Sequence, residues 1–139
     1  MSHLTRRVVK IQIPSELGYE KISLAAVTIL AEKMGFTSDQ VENLKTSTTE
    51  AVTNAIEHGN LEKAGTEVVV KFIIEPEQLT IIVLDEGLSP IPHILMERGD
   101  READHRGWGF EFIREFMDEA STVALPGQNE MKMVAYLSK

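Results

Sequence analysis

The chain has 139 residues, of which 42% are hydrophobic and 26% charged. This composition is typical of one globular domain and excludes a fibrous or disordered chain. The absence of cysteine excludes disulfides, cysteine-based zinc sites and thiol catalysis, and it is compatible with a reducing cytoplasm. Because the net charge of −8 repels phosphates, nucleic acid is a poor partner, whereas a basic or polar protein partner remains compatible.

The first half of the chain predicts one strand and two helices. Apolar residues alternate over 8–13, which indicates a strand, and they recur at helical spacing over 17–34, before Gly35. Thr37 and Gln40 stand at capping-box separation, so we predict a second helix from there to about His58. We find no apolar stretch long enough to span a membrane and no signal core, so we expect a cytoplasmic protein without membrane contact.

The second half predicts a hairpin, a long loop, a helix and two strands. Residues 67–75 and 79–85 are rich in Val and Ile, which is typical of buried strands, and a loop follows over 86–106. We predict a third helix at about 109–117 and strands at 121–125 and 131–137. This order favours one α+β domain over 1–139. We expect a two-layer α/β sandwich, with a mixed, mostly antiparallel sheet and helices on one face.

Three motifs carry polar residues of functional interest. In Glu50-Ala51-Val52-Thr53-Asn54-Ala55-Ile56-Glu57-His58, Glu50, Asn54 and His58 lie on one helix face, where a carboxylate and an amide carbonyl suit a proton acceptor and a metal ligand. The same pattern also fits the solvent face of an ordinary amphipathic helix.

The second and third motifs each have an ordinary structural explanation as well. Asp85-Glu86-Gly87 follows a strand, where a carboxylate can accept a hydrogen bond from an exocyclic amine and Gly leaves room for a flat ring; alone it also fits a strand-ending turn. Arg106-Gly107-Trp108-Gly109-Phe110 opens a helix, whose N-terminal N–H groups favour an anion, although a lone Gly-x-Gly is more often a turn or a cap.

In this order and spacing, the three motifs resemble the GHKL (Bergerat-fold) ATP-binding superfamily. Within it, Glu-Ala-Val-Thr-Asn-Ala-Ile-Glu-His and the later stretch Phe110–Glu119 are similar to the anti-sigma-factor serine kinases. The resemblance implies ATP and Mg²⁺ as cofactors. It also implies a serine-protein kinase that binds a sigma factor, phosphorylates an anti-sigma-factor antagonist of the STAS type and is typically a homodimer.

The resemblance also implies roles for individual residues. Asn54 would coordinate Mg²⁺, Glu50 would take the proton from the attacking hydroxyl, and Asp85 would bind the adenine amino group, with Gly87 passing close to the ring. The remaining implied positions belong to the ATP lid at about 86–106 and the helix after it: Gly107 and Gly109 at the phosphates, Arg106 at the γ-phosphate, and Arg98 and Arg101 as weaker lid candidates. For His58 we favour a cation at the helix C-terminus.

Two departures from the family pattern and three alternatives stay open. Leu88-Ser89-Pro90 stands where a second Gly is common, and Asn129-Glu130 stands where Gly-Thr is common. A nucleotide-binding partner-switching module without kinase activity is one alternative. A histidine-kinase-like ATPase domain is another, although such domains usually carry Asn in place of Glu50, and gyrase- or chaperone-type ATPases need much larger domains.

Overall fold

The computed structural model describes residues 6–89 and 105–137, with side chains described for 6–89 and 110–137. Within these ranges five strands and three α-helices follow one another along the chain, and a π-helical turn extends the second helix. Their bounds are β1 Arg7–Pro14, α1 Glu20–Met34, α2 Ser38–Asn54, the π turn Ala55–Gly59, β2 Glu67–Glu75, β3 Gln78–Asp85, α3 His105–Phe116, β4 Glu119–Leu125 and β5 Gln128–Tyr136.

The strands form one sheet in the order β1-β2-β3-β5-β4, and every described pairing is antiparallel. Alternate strand residues, such as Phe72 and Ile81, are fully buried and pack in one core with helix residues such as Val27, Leu44 and Val52. The predicted α+β sandwich with helices on one face is therefore confirmed, but the described sheet is antiparallel throughout and not mixed as predicted. None of the described helices has the length and apolarity that a membrane crossing requires.

The second helix begins where the capping residues predict. The side chain of Thr37 accepts a hydrogen bond from the Gln40 N–H at 3.2 Å, and the Gln40 side chain accepts one from the Thr37 N–H at 3.0 Å. This reciprocal capping box satisfies two N–H groups that have no partner within the helix.

Several predicted boundaries are wrong. The α-helix predicted to reach His58 ends at Asn54 and continues as a π turn, in which the N–H of Asn60 donates to the carbonyl of Ala55, five residues earlier, at 2.9 Å. Helix α1 begins at Glu20 instead of Leu17 because Gly18, with a φ of 109°, turns the chain just before it. Helix α3 begins at His105 instead of Gly109, and β4 and β5 also begin earlier than predicted.

Candidate functional site

Glu50 and Asn54 occupy the last turns of α2, and both are half-buried. The side-chain amide of Asn54 donates a hydrogen bond to the Glu50 carboxylate, as their separation of four residues on one helix face predicts. The structure therefore brings together the predicted proton acceptor and the predicted Mg²⁺ ligand.

The surroundings of Glu50 make it a stronger proton acceptor than an exposed carboxylate. Burial raises the pKa of Glu50, the negative charge of Glu57 raises it further, and the hydrogen bond from Asn54 offsets only part of the rise. A raised pKa increases the affinity of a carboxylate for a proton, which suits a general base.

His58 lies in the last turn of the π helix, which is the helix C-terminal position predicted for it. Its Nε2 is 3.8 Å from Oε1 of Glu57. The predicted single face of Glu50, Asn54 and His58 assumed α-helical spacing throughout, and that assumption fails at Ala55, where the π turn begins.

Asp85 is the last residue of β3 and is only 9% exposed. Burial raises the pKa of its carboxyl group. Hydrogen bonds from the Gly87 N–H and from the side chain and backbone of Asn129 act in the opposite direction, and the charge of Glu86 adds a small further rise. The Gly87 N–H lies 2.7 Å from Oδ1 of Asp85. A buried carboxylate at a strand end is suited to accept a hydrogen bond from an amino group of a ligand.

Two glycines make close contacts at this strand end. A Cβ on Gly59 would lie 2.0 Å from Oδ2 and 2.4 Å from Cγ of Asp85, so only glycine fits between the π turn and this carboxylate. A Cβ on Gly87, whose φ is 66°, would lie 2.6 Å from the backbone nitrogen of Gln128. The end of the helix that carries Glu50 and Asn54 therefore meets the end of the strand that carries Asp85.

Sequence reasoning assigned Gly59 only to helix closure, and it treated Asn129 only as a departure from a family pattern. In the structure Asn129 lies opposite Asp85 in the sheet, is 3% exposed, and donates from Nδ2 to the carbonyl of Ser89 at 2.8 Å. No local signal could have found these roles, because Gly59 and Asn129 meet Asp85 only through long-range packing.

The third motif is described by its backbone alone up to Gly109. Arg106, Gly107 and Gly109 lie within the first turns of α3, which begins before the predicted start at about Gly109. Gly107 stays in the first turn, where N–H groups have no partner within the helix. The side chain of Arg106, the lid candidates Arg98 and Arg101, and most of the predicted ATP lid lie outside the described residues.

Among the described side chains, no group of three or more His, Asp or Glu residues is placed to hold a metal ion by itself. The amide oxygen of Asn54 is nevertheless the kind of hard ligand that Mg²⁺ prefers. A Mg²⁺ ion held by Asn54 would take its other ligands from phosphate and water, as is usual for this ion.

Residues 13–135 match the family described as the histidine kinase-like ATPase domain. The chain belongs to this family. It is 30% identical over 123 residues to an anti-sigma F factor of Thermoanaerobacter sp., with 85% of each chain covered. It is also 35% identical over 81 residues to the serine-protein kinase RsbW of Bacillus subtilis, covering 58% of this chain. The chain spans about half the length of that relative, 51%. These relatives confirm the resemblance to the anti-sigma-factor serine kinases.

Two solved structures share the fold. One contains the RsbU and RsbW domains of Rv1364c from Mycobacterium tuberculosis, with a TM-score of 0.68 and 16% identity, covering 96% of this chain and 33% of that one. The other is the SiaB-SiaC complex from Pseudomonas aeruginosa, with a TM-score of 0.63 and 11% identity, covering 91% of this chain and 88% of that one. At these identities the likeness concerns the fold alone, and it confirms the predicted Bergerat-type architecture.

Proposed function

We propose that this chain is a single ATP-binding kinase domain that transfers the γ-phosphoryl group of ATP to a serine or threonine of a partner protein. The observation that carries the proposal is the hydrogen-bonded pair of Glu50 and Asn54 on the helix whose π-helical extension packs Gly59 against the buried carboxylate of Asp85. The family match and the names of the relatives support the same reaction.

Each end of the nucleotide has a candidate site. Asp85 would accept a hydrogen bond from the adenine amino group, and Gly87, which has no side chain, would leave space beside the ring. Asn54 would hold Mg²⁺ on the phosphates, and Gly107, Gly109 and Arg106 would contact the phosphates from the start of α3. Bound MgATP supplies an electrophilic phosphorus and neutralises part of the phosphate charge.

Glu50 would act as the general base. Its raised pKa favours removal of the proton from the serine or threonine hydroxyl as the oxygen approaches the γ-phosphate. Asn54 would keep the carboxylate in place through its hydrogen bond while its carbonyl oxygen stays available for Mg²⁺. The two residues together therefore position the base and the metal on one helix face.

For the biological role, we propose an anti-sigma factor of the cytoplasm that binds a sigma factor and phosphorylates a STAS-type anti-sigma-factor antagonist, and that acts as a homodimer. Support comes from the relatives that carry the names anti-sigma F factor and serine-protein kinase. A net charge of −8 is compatible with control of transcription through a protein partner instead of DNA. Competition between two partners would make phosphorylation a switch.

A transfer assay tests the proposal. The chain is incubated with labelled ATP, Mg²⁺ and a STAS-type antagonist from the same genome, beside Glu50→Ala and Glu42→Ala variants. Glu42 is an exposed acid on the same helix, paired with Lys45, and serves as the matched control. We expect transfer by the unaltered chain and by Glu42→Ala, and a loss of about 100-fold or more with Glu50→Ala. Equal transfer by all three proteins would exclude Glu50 as the base, and ATP binding without transfer would favour a binding module without kinase activity.

A further inference from the structure

Asn60 is a fully buried polar residue immediately after the π turn. Its side chain is 0% exposed, and burying an amide is unfavourable unless its donors and acceptor are all hydrogen-bonded. In this case they are. Nδ2 donates to Oγ of Ser15 and to the carbonyl of Glu67, each at 2.9 Å, and Oδ1 accepts from the N–H of Glu86 at 2.6 Å.

These three bonds join the ends of three strands to the end of the helix. Ser15 directly follows β1, Glu67 begins β2, and Glu86 directly follows β3. The side chain of Glu86 strengthens the same corner, because Oε2 accepts a hydrogen bond from the Glu67 N–H at 2.7 Å. One buried amide thus connects the helix that carries Glu50 to the neighbouring ends of β1, β2 and β3.

The bond to Glu86 is the one that bears on nucleotide recognition. The N–H of Glu86 belongs to the peptide group that joins Asp85 to Glu86, so fixing this N–H fixes the backbone on the carboxyl side of Asp85. The neighbour of Asn60, Gly59, meets the Asp85 carboxylate directly, and its carbonyl accepts a hydrogen bond from the Ser89 N–H at 3.1 Å. Residues 59 and 60 therefore hold Asp85 from its side chain and from its backbone.

We propose that Asn60 is a positioning residue for adenine recognition: its Oδ1, by holding the Glu86 N–H, sets the direction in which Asp85 presents its carboxylate to the adenine amino group. The inference rests on the proposed function, since it assumes that Asp85 binds adenine. It adds a residue that the three motifs do not contain and that touches neither nucleotide nor partner in this scheme.

Two substitutions separate positioning from stability. Asn60→Ala removes all three hydrogen bonds. Asn60→Asp loses the two Nδ2 donations but keeps an oxygen for the Glu86 N–H, and it buries a carboxylate facing the carbonyl of Glu67. Because an uncompensated buried charge is more unfavourable than a lost amide, we expect Asn60→Asp to be the less stable variant but the one that better retains recognition. If Asn60 acted only through stability, the less stable Asn60→Asp variant would retain recognition less well than Asn60→Ala.

The readout is the preference for ATP over purine ribonucleoside 5′-triphosphate, which lacks the 6-amino group. Calorimetry with Mg²⁺ gives the Kd of each nucleotide, at a temperature where circular dichroism shows each variant to be folded. Val27→Ala, which truncates a buried side chain of α1, is the control for loss of stability. Asn60→Ala should reduce the preference by about fivefold to tenfold, the effect of about one hydrogen bond. Asn60→Asp and Val27→Ala should keep it within about twofold of the unaltered chain.

The possible outcomes distinguish failure of the role proposed for Asn60 from failure of the proposed function on which it rests. If the unaltered chain prefers ATP and Asn60→Ala keeps this preference, the role of Asn60 is overturned while the proposed function stands. The same conclusion follows if Asn60→Ala and Asn60→Asp lose the preference equally. An unaltered chain that binds neither nucleotide overturns the proposed function and this inference with it. If Asn60→Ala does not fold, hydrogen exchange of the Glu86 amide in the unaltered chain decides: slow exchange before nucleotide is added supports the inference, and exchange at the rate of an exposed amide contradicts it.

Discussion

Replacing Gly59 with alanine tests the contact that joins the helix end to the strand end. The new Cβ would lie 2.0 Å from Oδ2 and 2.4 Å from Cγ of Asp85, where ordinary contacts begin at 3.4 Å. Either the carboxylate must rotate away from the Gly87 N–H or the π turn must move. Overpacking of this kind typically reduces the free energy of unfolding by about 1–3 kcal/mol. Losing a hydrogen bond from ligand to carboxylate, worth about 1.5–3 kcal/mol, should weaken ATP binding by about tenfold or more.

Urea unfolding and calorimetric titration with MgATP measure the two effects of Gly59→Ala. The sign of the change in the free energy of unfolding is informative, because Gly59 does not have a positive φ. Without the contact to Asp85, alanine at this helical position would stabilise the chain by about 0.5–1 kcal/mol. In an Asp85→Ala background the two closest contacts disappear and only the one at 3.0 Å, to Cβ, remains. The destabilisation should then shrink by about 1 kcal/mol or more. Unchanged stability and unchanged ATP affinity in the single variant would refute the packing of Gly59 on Asp85.

Three further changes have defined outcomes. Glu57→Gln removes a charge that raises the pKa of Glu50, so the acid limb of the pH–rate profile for phosphoryl transfer should move to lower pH; an unmoved limb would show that Glu57 does not act on the base. Because burial raises the pKa of Asp85, the folded chain holds that proton more tightly than the unfolded chain, and stability falls as pH rises from the ordinary carboxyl value through the raised one. Asp85→Asn should reduce this fall in urea midpoints across that interval while weakening ATP binding, and the part that remains belongs to Glu50, whose pKa burial also raises. The Thr48 hydroxyl is buried without a hydrogen-bond partner among the described residues, so Thr48→Val should stabilise the chain by up to about 1 kcal/mol in urea unfolding, and a destabilisation would indicate that the hydroxyl has a partner.

Local features were predictable from the sequence. The capping box of Thr37 and Gln40 and the pairing of Glu50 with Asn54 both depend on helical spacing alone, so their residue types and separation were sufficient evidence. The hairpin of β2 and β3 was equally local, since two Val- and Ile-rich runs flank a short polar turn.

Features that depend on packing were not predictable. The π turn has no local sequence signature, and it replaces the α-helical spacing that was predicted to continue to His58. Helix α3 begins before two glycines, which disfavour helix by intrinsic propensity, and it packs against α2. The roles of Gly59, Asn60 and Asn129 follow from contacts between residues far apart in the chain. The motifs therefore located the candidate site, while the structure supplied the residues that hold it together.

An NMR titration with MgATP tests most directly whether Glu50, Asn54 and Asp85 frame one nucleotide site. The side-chain amide of Asn54 and the backbone amide of Gly87 report on its two ends. We expect both resonances to shift together, with a single Kd, and only the Asn54 resonance to respond to inorganic triphosphate with Mg²⁺. Shifts elsewhere in the chain with both of these resonances unchanged would contradict it.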